Sequence, residues 1–165
     1  MKYPNLEKLV DIIAVLRSEN GCEWDREQTH KSLRPNMLEE AYEAVDAIDE
    51  GDISNLREEL GDVLLQVVLH AQIAKDDGEF DIEDVAKELS DKLIHRHPHV
   101  FGNTEVHSTQ EILDNWDKLK KEEKTYRKSV LDGISKSQSA LMSAQKISKQ
   151  VVKLSLIHIS EPTRR

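Results

Sequence analysis

Two pairs of acidic side chains, Glu40 with Glu43 and Glu59 with Asp62, are each spaced three residues apart. On a helix that spacing sets both carboxylates of a pair on one face, with Cβ atoms about 5–6 Å apart. Gly51 and Asp52 stand between the pairs. Glycine is favoured just past a helix C-terminus and aspartate at a helix start. Two antiparallel helices joined there bring the acidic faces together. Four converging carboxylates repel unless cations hold them, and an all-oxygen donor set suits hard cations, Mg²⁺ first and Mn²⁺ after it. The plain alternative is a solvated helix face, common in a chain with 32 acidic residues. Against it, Leu56, Leu60, Val63, Leu64, Val67, Val68 and Ala71 trace an apolar helical stripe. Glu59, Asp62 and Gln66 trace a second stripe, about a third of a turn or more around at 100° per residue. Gly61 sits mid-helix, at a cost of about 1 kcal/mol relative to Ala, which predicts close approach by a neighbour or a ligand.

The elements that must position these groups read as helices throughout. Leu6, Leu9, Val10, Ile13 and Leu16 share a face over about residues 6–18, and Asn20-Gly21 ends that helix. An irregular connection follows, with Trp24 and the run Gln28-Thr29-His30 in it; the indole is expected to plug the core or to stack on a ligand. The acidic helices are predicted over 35–50 and 53–75. Asp81 caps a fourth, running to about His95 with Ile82, Val85, Leu89 and Leu93 inward. Lys92, His95, Arg96 and His97 crowd its end before Pro98 stops it. Complementing the helix dipole is by itself sufficient reason for cations there. Ser108 with Glu111 reads as a capping box opening a helix to about Lys124. A polar stretch from Tyr126 leads to a last helical segment over about 138–152. No strand pattern of useful length is present, so the fold class is all-α, a bundle of about five to six helices.

Composition narrows the function. The chain has 165 residues, 33% of them charged and 4% aromatic, so one domain with an aliphatic core is expected. A formal net charge of -9 and a pI near 5.3 argue against a nucleic-acid-binding surface. Cys22 is the single cysteine, which excludes an intrachain disulfide and fits a reducing compartment. The first residues lack the apolar run of a signal peptide, and the longest apolar run is too short to span a bilayer. A soluble, cytoplasmic protein with no membrane partner is expected. The final LSLIHISEPTRR has the look of translated cloning sequence, which sets the expected boundaries: a domain over 1–152 and a non-native or disordered tail over 153–165. His95, His97 and His99 alternate around Pro98 without a matching cysteine or second histidine pair, which is not a zinc ligand set. Val45, Ile48 and Val68 are apolar residues left to seek cover, an argument for a homodimer.

The runs GCEWDREQTHKSLRP, LEEAYEAVDAI, NLREELGDVLLQVVLHAQIA and DKLIHRHPHVFG, then WDKLK, occur in that order. In them the chain resembles MazG, the nucleoside triphosphate pyrophosphohydrolases of the all-α NTP pyrophosphatase group, over about residues 6–152. Two positions depart from the family pattern: Glu23 where proline is usual before the tryptophan, and Asn36 where tyrosine is usual. The resemblance implies a helical bundle assembled from a dimer, and hydrolysis of an NTP or dNTP to the monophosphate and pyrophosphate. It implies Mg²⁺ ligands at Glu40, Glu43, Glu59 and Asp62, with Glu39 behind them orienting water or acting as base. It also implies nucleotide contacts from Lys92, Arg96, Trp116 and Lys120.

That activity agrees with the residues taken on their own. Hydrolysis of a triphosphate needs its charge neutralised, a positioned water and a stabilised leaving group, and two metal ions held by four carboxylates serve all three. Lys and Arg hold phosphate oxygens, and Trp24 or Trp116 offers a base-tolerant stacking surface. Two other readings stand beside it. A di-iron or di-manganese carboxylate bundle requires E-x-x-H motifs on two helices, and neither acidic pair here is followed by such a histidine. A non-catalytic helical dimerisation or regulatory module with a vestigial metal site uses the same residues.

Overall fold

The computed structural model describes residues 3–123 and 129–159. The elements are α1 (Pro4–Arg17), α2 (Glu23–Glu27), α3 (Arg34–Glu50), α4 (Ile53–Asp76), α5 (Ile82–Arg96), α6 (Pro98–Phe101), α7 (Thr109–Glu122), a 3-10 turn at Val130–Gly133, and α8 (Ala140–Ile159). Among the described residues there is no strand. Six of these helices have 14 residues or more, which agrees with the five to six expected from periodicity. Two compact units divide the chain, 1–93 and 94–165.

In the first unit α3 and α4 fold back on one another, α1 lies on α4, and α2 packs against α1. The turn between α3 and α4 forms as the sequence requires. Gly51 closes α3 in the left-handed region at φ 71°, and the Asp52 side chain accepts hydrogen bonds from the backbone N–H groups of Ser54 and Asn55. Ile13, Leu33, Val68, Leu69 and Ile73 make the core, with Leu9, Val10, Leu16, Leu65 and Ile82 packed on it. Burying each of the fully enclosed ones stabilises the fold by roughly 1.5–3 kcal/mol. Residue 33 is the anchor of the long connection: a Thr29–Ser32 turn, with Oγ and N–H groups of both residues hydrogen-bonded to each other, delivers Leu33 into the core. Arg17 secures the same connection, donating from Nη1 to the Asp25 and Gln28 carbonyls and from Nε to Asp76 at 2.8 Å.

Several expectations are corrected. Val68 is buried, at 1% exposure, and leaves no surface to cover. Leu6, Leu60, Leu64, Leu89 and Leu93 are exposed rather than inward. Periodicity identifies an apolar face but not which part of it a neighbour covers. Trp24 does not plug the core; it stands on α2 with 57% of its surface exposed. α3 begins at Arg34, although the residue before a proline is biased away from helix. Among the described residues nothing approaches Gly61: a Cβ added there would meet open space.

In the second unit, Pro98 opens the single turn α6 as well as ending α5. Ser108 Oγ accepts from the Glu111 N–H, while Glu111 reaches back to the His107 N–H rather than to that of Ser108. Ser129 and Asp132 form a reciprocal capping box on the 3-10 turn. α8 continues to Ile159, past the end near 152 that the sequence pattern indicates. The expected end of α7 at Lys124, the polar stretch from Tyr126 and the last six residues of the tail lie outside the described residues.

Candidate active site

One carboxylate oxygen from each of Glu40, Glu43 and Glu59 lies within 4.8 Å of the others. Two come from α3 and one from α4, so the hairpin at Gly51 is what makes the cluster. Asp62, one turn further along α4, stands outside this triangle, yet its charge acts on both Glu40 and Glu59. The Glu40 carboxyl is held above the usual carboxylate range by partial desolvation first, then by repulsion from Asp62, Glu43 and Glu39. Glu59 is raised in the same way, by desolvation and then by Glu43, Asp62, Glu58 and Glu40. Glu40 and Glu59 therefore both sense Glu43 and Asp62. Among the described residues no lysine, arginine or histidine forms an ion pair with any of them. An all-carboxylate set without a protein counter-charge fits a hard divalent cation. Glu39 is exposed beside Glu40.

The acidic stripe continues down α4. Glu59, Asp62, Gln66 and His70 fall within an arc of about 80° at 100° per residue. Gln66 is buried and its Oε1 has no hydrogen-bond partner among the described residues. His70, one turn beyond, meets His30, with Nδ1 atoms 2.7 Å apart. Sequence reasoning placed Gln66 on the stripe but missed the histidine pairing, because it joins positions forty residues apart.

The basic and aromatic residues divide differently. Lys92 lies in the first unit and pairs with Glu88 at 3.8 Å. It lines an open groove with Phe80, Asp84, Val85, Glu88 and Leu89. Arg96, Trp116 and Lys120 gather within the second unit. The Arg96 guanidinium lies 5.7 Å from the Trp116 ring centre and Lys120 Nζ 5.1 Å from it, a cation–π arrangement. Glu123 grips Arg96: Nε donates to both carboxylate oxygens, at 3.1 and 3.2 Å, and Nη2 to Oε2. The sequence gives no sign of that partner, since Glu123 sits in a run of lysines and glutamates. Trp116 Nε1 is buried and has no hydrogen-bond partner among the described residues. His97 and His99 tilt against each other, and His95 faces Glu123 at 3.9 Å.

An all-helical chain with carboxylates from two antiparallel helices converging on one point defines a class of acidic-site helical proteins. Comparison with known proteins is specific. The MazG nucleotide pyrophosphohydrolase domain model matches residues 28–101. A crystal structure of a MazG-related protein from Thermotoga maritima superposes with a TM-score of 0.59 at 31% identity, covering 70% of this chain and 98% of that one. The nucleoside triphosphate pyrophosphohydrolase/pyrophosphatase MazG of the same organism is 54% identical over 123 residues, 74% of this chain and 47% of that protein. The nucleoside triphosphate pyrophosphohydrolase of Escherichia coli K12 is 47% identical over 148 residues, 88% of this chain and 56% of that protein. The chain belongs to the MazG family. It spans about half the length, or less, of the curated relatives it matches. Among the described residues no helix is long and apolar enough to cross a membrane.

Proposed function

We propose that this chain hydrolyses nucleoside triphosphates, NTP or dNTP, to the monophosphate and pyrophosphate with Mg²⁺, Mn²⁺ being an alternative ion, and that it does so in the cytoplasm as a homodimer. The observation that carries the reading is the convergence of Glu40, Glu43 and Glu59 within 4.8 Å, with Asp62 acting on them by its charge. The names of the T. maritima and E. coli relatives agree with it. Glu40, Glu43, Glu59 and Asp62 would hold the ion. When bound, it supplies charge neutralisation for the phosphates and a lowered pKa for the attacking water. Glu39, next to Glu40 and exposed, is the residue for orienting that water and taking its proton. Lys92 and Arg96 serve the phosphate oxygens. Arg96 does so only by leaving Glu123, so Glu123 acts as a stand-in anion in the nucleotide-free protein. Trp116 carries cations on its ring, which leaves the exposed Trp24 as the freer stacking surface for a base. Exposed Val45 and Ile48 on α3, with Leu60 and Leu64 on α4, form the apolar surface for a second copy.

The test is pyrophosphate release from a mixed NTP panel with Mg²⁺, with and without EDTA. Pyrophosphate appearing only with metal is the expected result; release at full rate in metal-free buffer, or none in either, would overturn the reading.

A further inference from the structure

His30 and His70 are 40 residues apart in sequence, and their Nδ1 atoms are 2.7 Å apart. Their ring planes differ by 6° and their centres are 5.0 Å apart. Parallel planes holding atoms 2.7 Å apart cannot themselves be further apart than that, which is closer than stacked rings approach. The rings therefore stand edge to edge in one plane, joined by a single N–H···N hydrogen bond of ordinary length. Such a bond needs one Nδ1–H donor and one bare Nδ1 acceptor, so exactly one proton lies between the two rings. If both imidazoles are charged, both Nδ1 atoms are donors and the bond is lost to repulsion.

The position of this bond matters. His30 belongs to the Thr29–Ser32 turn that delivers Leu33 to the core and leads directly into α3. His70 lies on α4 on the line of Glu59, Asp62 and Gln66. The bond thus ties the entry of one acidic helix to the body of the other. We propose that His30 and His70 are positioning residues for the acidic site: their shared proton pins the connection before α3 to α4, and a second proton releases it. Partial burial, then the charge of His30, holds His70 below the usual histidine value of 6.5. The surrounding charges are otherwise committed. Arg17 on α1 pairs with Asp76 on α4 and with the Asp25 and Gln28 carbonyls. The acidic groups of α3 and α4 act on one another's cluster, Glu43 and Asp62 on both Glu40 and Glu59. Among the described residues His30 is the one charge that moves His70.

The sign follows. A histidine depressed in the folded chain leaves the unfolded chain the better proton acceptor, so its contribution is complete above pH 6.5 and is lost as pH falls through the folded value. His70→Asn keeps a hydrogen-bonding atom where Nδ1 stands and removes the titration, whereas His70→Phe removes both. Wild type at pH 7.5 should show a downfield, slowly exchanging imidazole N–H resonance that is absent in His70→Phe. Between pH 7.5 and 5.5 wild type should lose more melting temperature and more hydrolytic rate than His70→Asn, while His70→Phe should be impaired at every pH. The consequence for hydrolysis rests on the carboxylates being the catalytic centre; the pin does not. Should the resonance and the melts behave as stated while all three proteins lack hydrolysis, the catalytic reading fails and the pin stands. Should hydrolysis be present and all three proteins share one pH profile in rate and melting, the pin is wrong.

Discussion

At the residue scale the acidic cluster makes the sharpest prediction. Glu40 and Glu59 have folded-state carboxyls raised above 4.5. A raised carboxyl contributes stability that is complete below the unfolded value of about 4.5 and is lost as pH rises through the folded value. Metal-free wild type should therefore weaken as pH rises just above 4.5, and Glu59→Gln, which keeps only the raised Glu40, should weaken less. At pH 7 without metal, Glu59→Gln should melt at or above the wild-type temperature. With Mg²⁺ the wild type should gain more, because a ligand bound only to the native state stabilises it by mass action. Hydrolysis by the variant should be abolished. Equal Mg²⁺-induced melting shifts, with hydrolysis intact, would return these residues to a solvated face.

Arg96 behaves unlike a simple helix-end cation. Losing dipole complementarity alone costs about 0.3–1 kcal/mol, and Lys92→Ala should stay near that. Arg96 is only 10% exposed at its side chain and is held on two sides by Glu123. Arg96→Ala removes these bonds to Glu123 and the cation over Trp116, so its melting temperature should fall further than that of Lys92→Ala. Both variants should lose pyrophosphate release by more than their stability loss explains. Unchanged turnover in both would leave them with structural roles alone.

At the element scale, two glycines in neighbouring segments call for opposite outcomes. Gly51 holds φ 71° with open space where a Cβ would go, so Gly51→Ala is strained by the backbone alone and should cost about 1–2 kcal/mol. Gly61 is helical and equally open, so Gly61→Ala should stabilise the isolated chain by up to about 1 kcal/mol. Chemical denaturation of both variants reads the signs. A loss at Gly61 would mean that a second copy covers that face. The turn at 51–52, the caps at Asp52 and Asp81 and the facing of Glu40, Glu43 and Glu59 were all legible beforehand, because each rests on spacing within a few residues. The exposure of Leu60, Leu64 and Leu89 was not, since periodicity says which residues share a face and is silent on what lies against it. Nor were the His30–His70 and Arg96–Glu123 contacts, which join segments that only the folded chain brings together.

At the scale of the whole molecule, the outward side chains of α3 and α4 decide the assembly. Val45 and Ile48 are 48% and 57% exposed, on the same hairpin that carries the acidic cluster. Exposed apolar surface of that kind is the ground for proposing an interaction site there. Sedimentation velocity at micromolar concentration should show a dimer, and Val45→Asp combined with Ile48→Asp should show a monomer. A monomer in both cases would remove the dimer from the account.

The chain's two tryptophans fall one to each compact unit: Trp24, well exposed, in residues 1–93, and Trp116, half-buried under Arg96 and Lys120, in residues 94–165. Each unit thus carries a private fluorophore in its own surroundings, one open to iodide quenching and the other flanked by cations. Trp24→Phe and Trp116→Phe split the emission into two single-site signals. Unfolding curves recorded from the two variants then report whether the halves melt together, because coincident midpoints mark one cooperative transition and separated ones mark two.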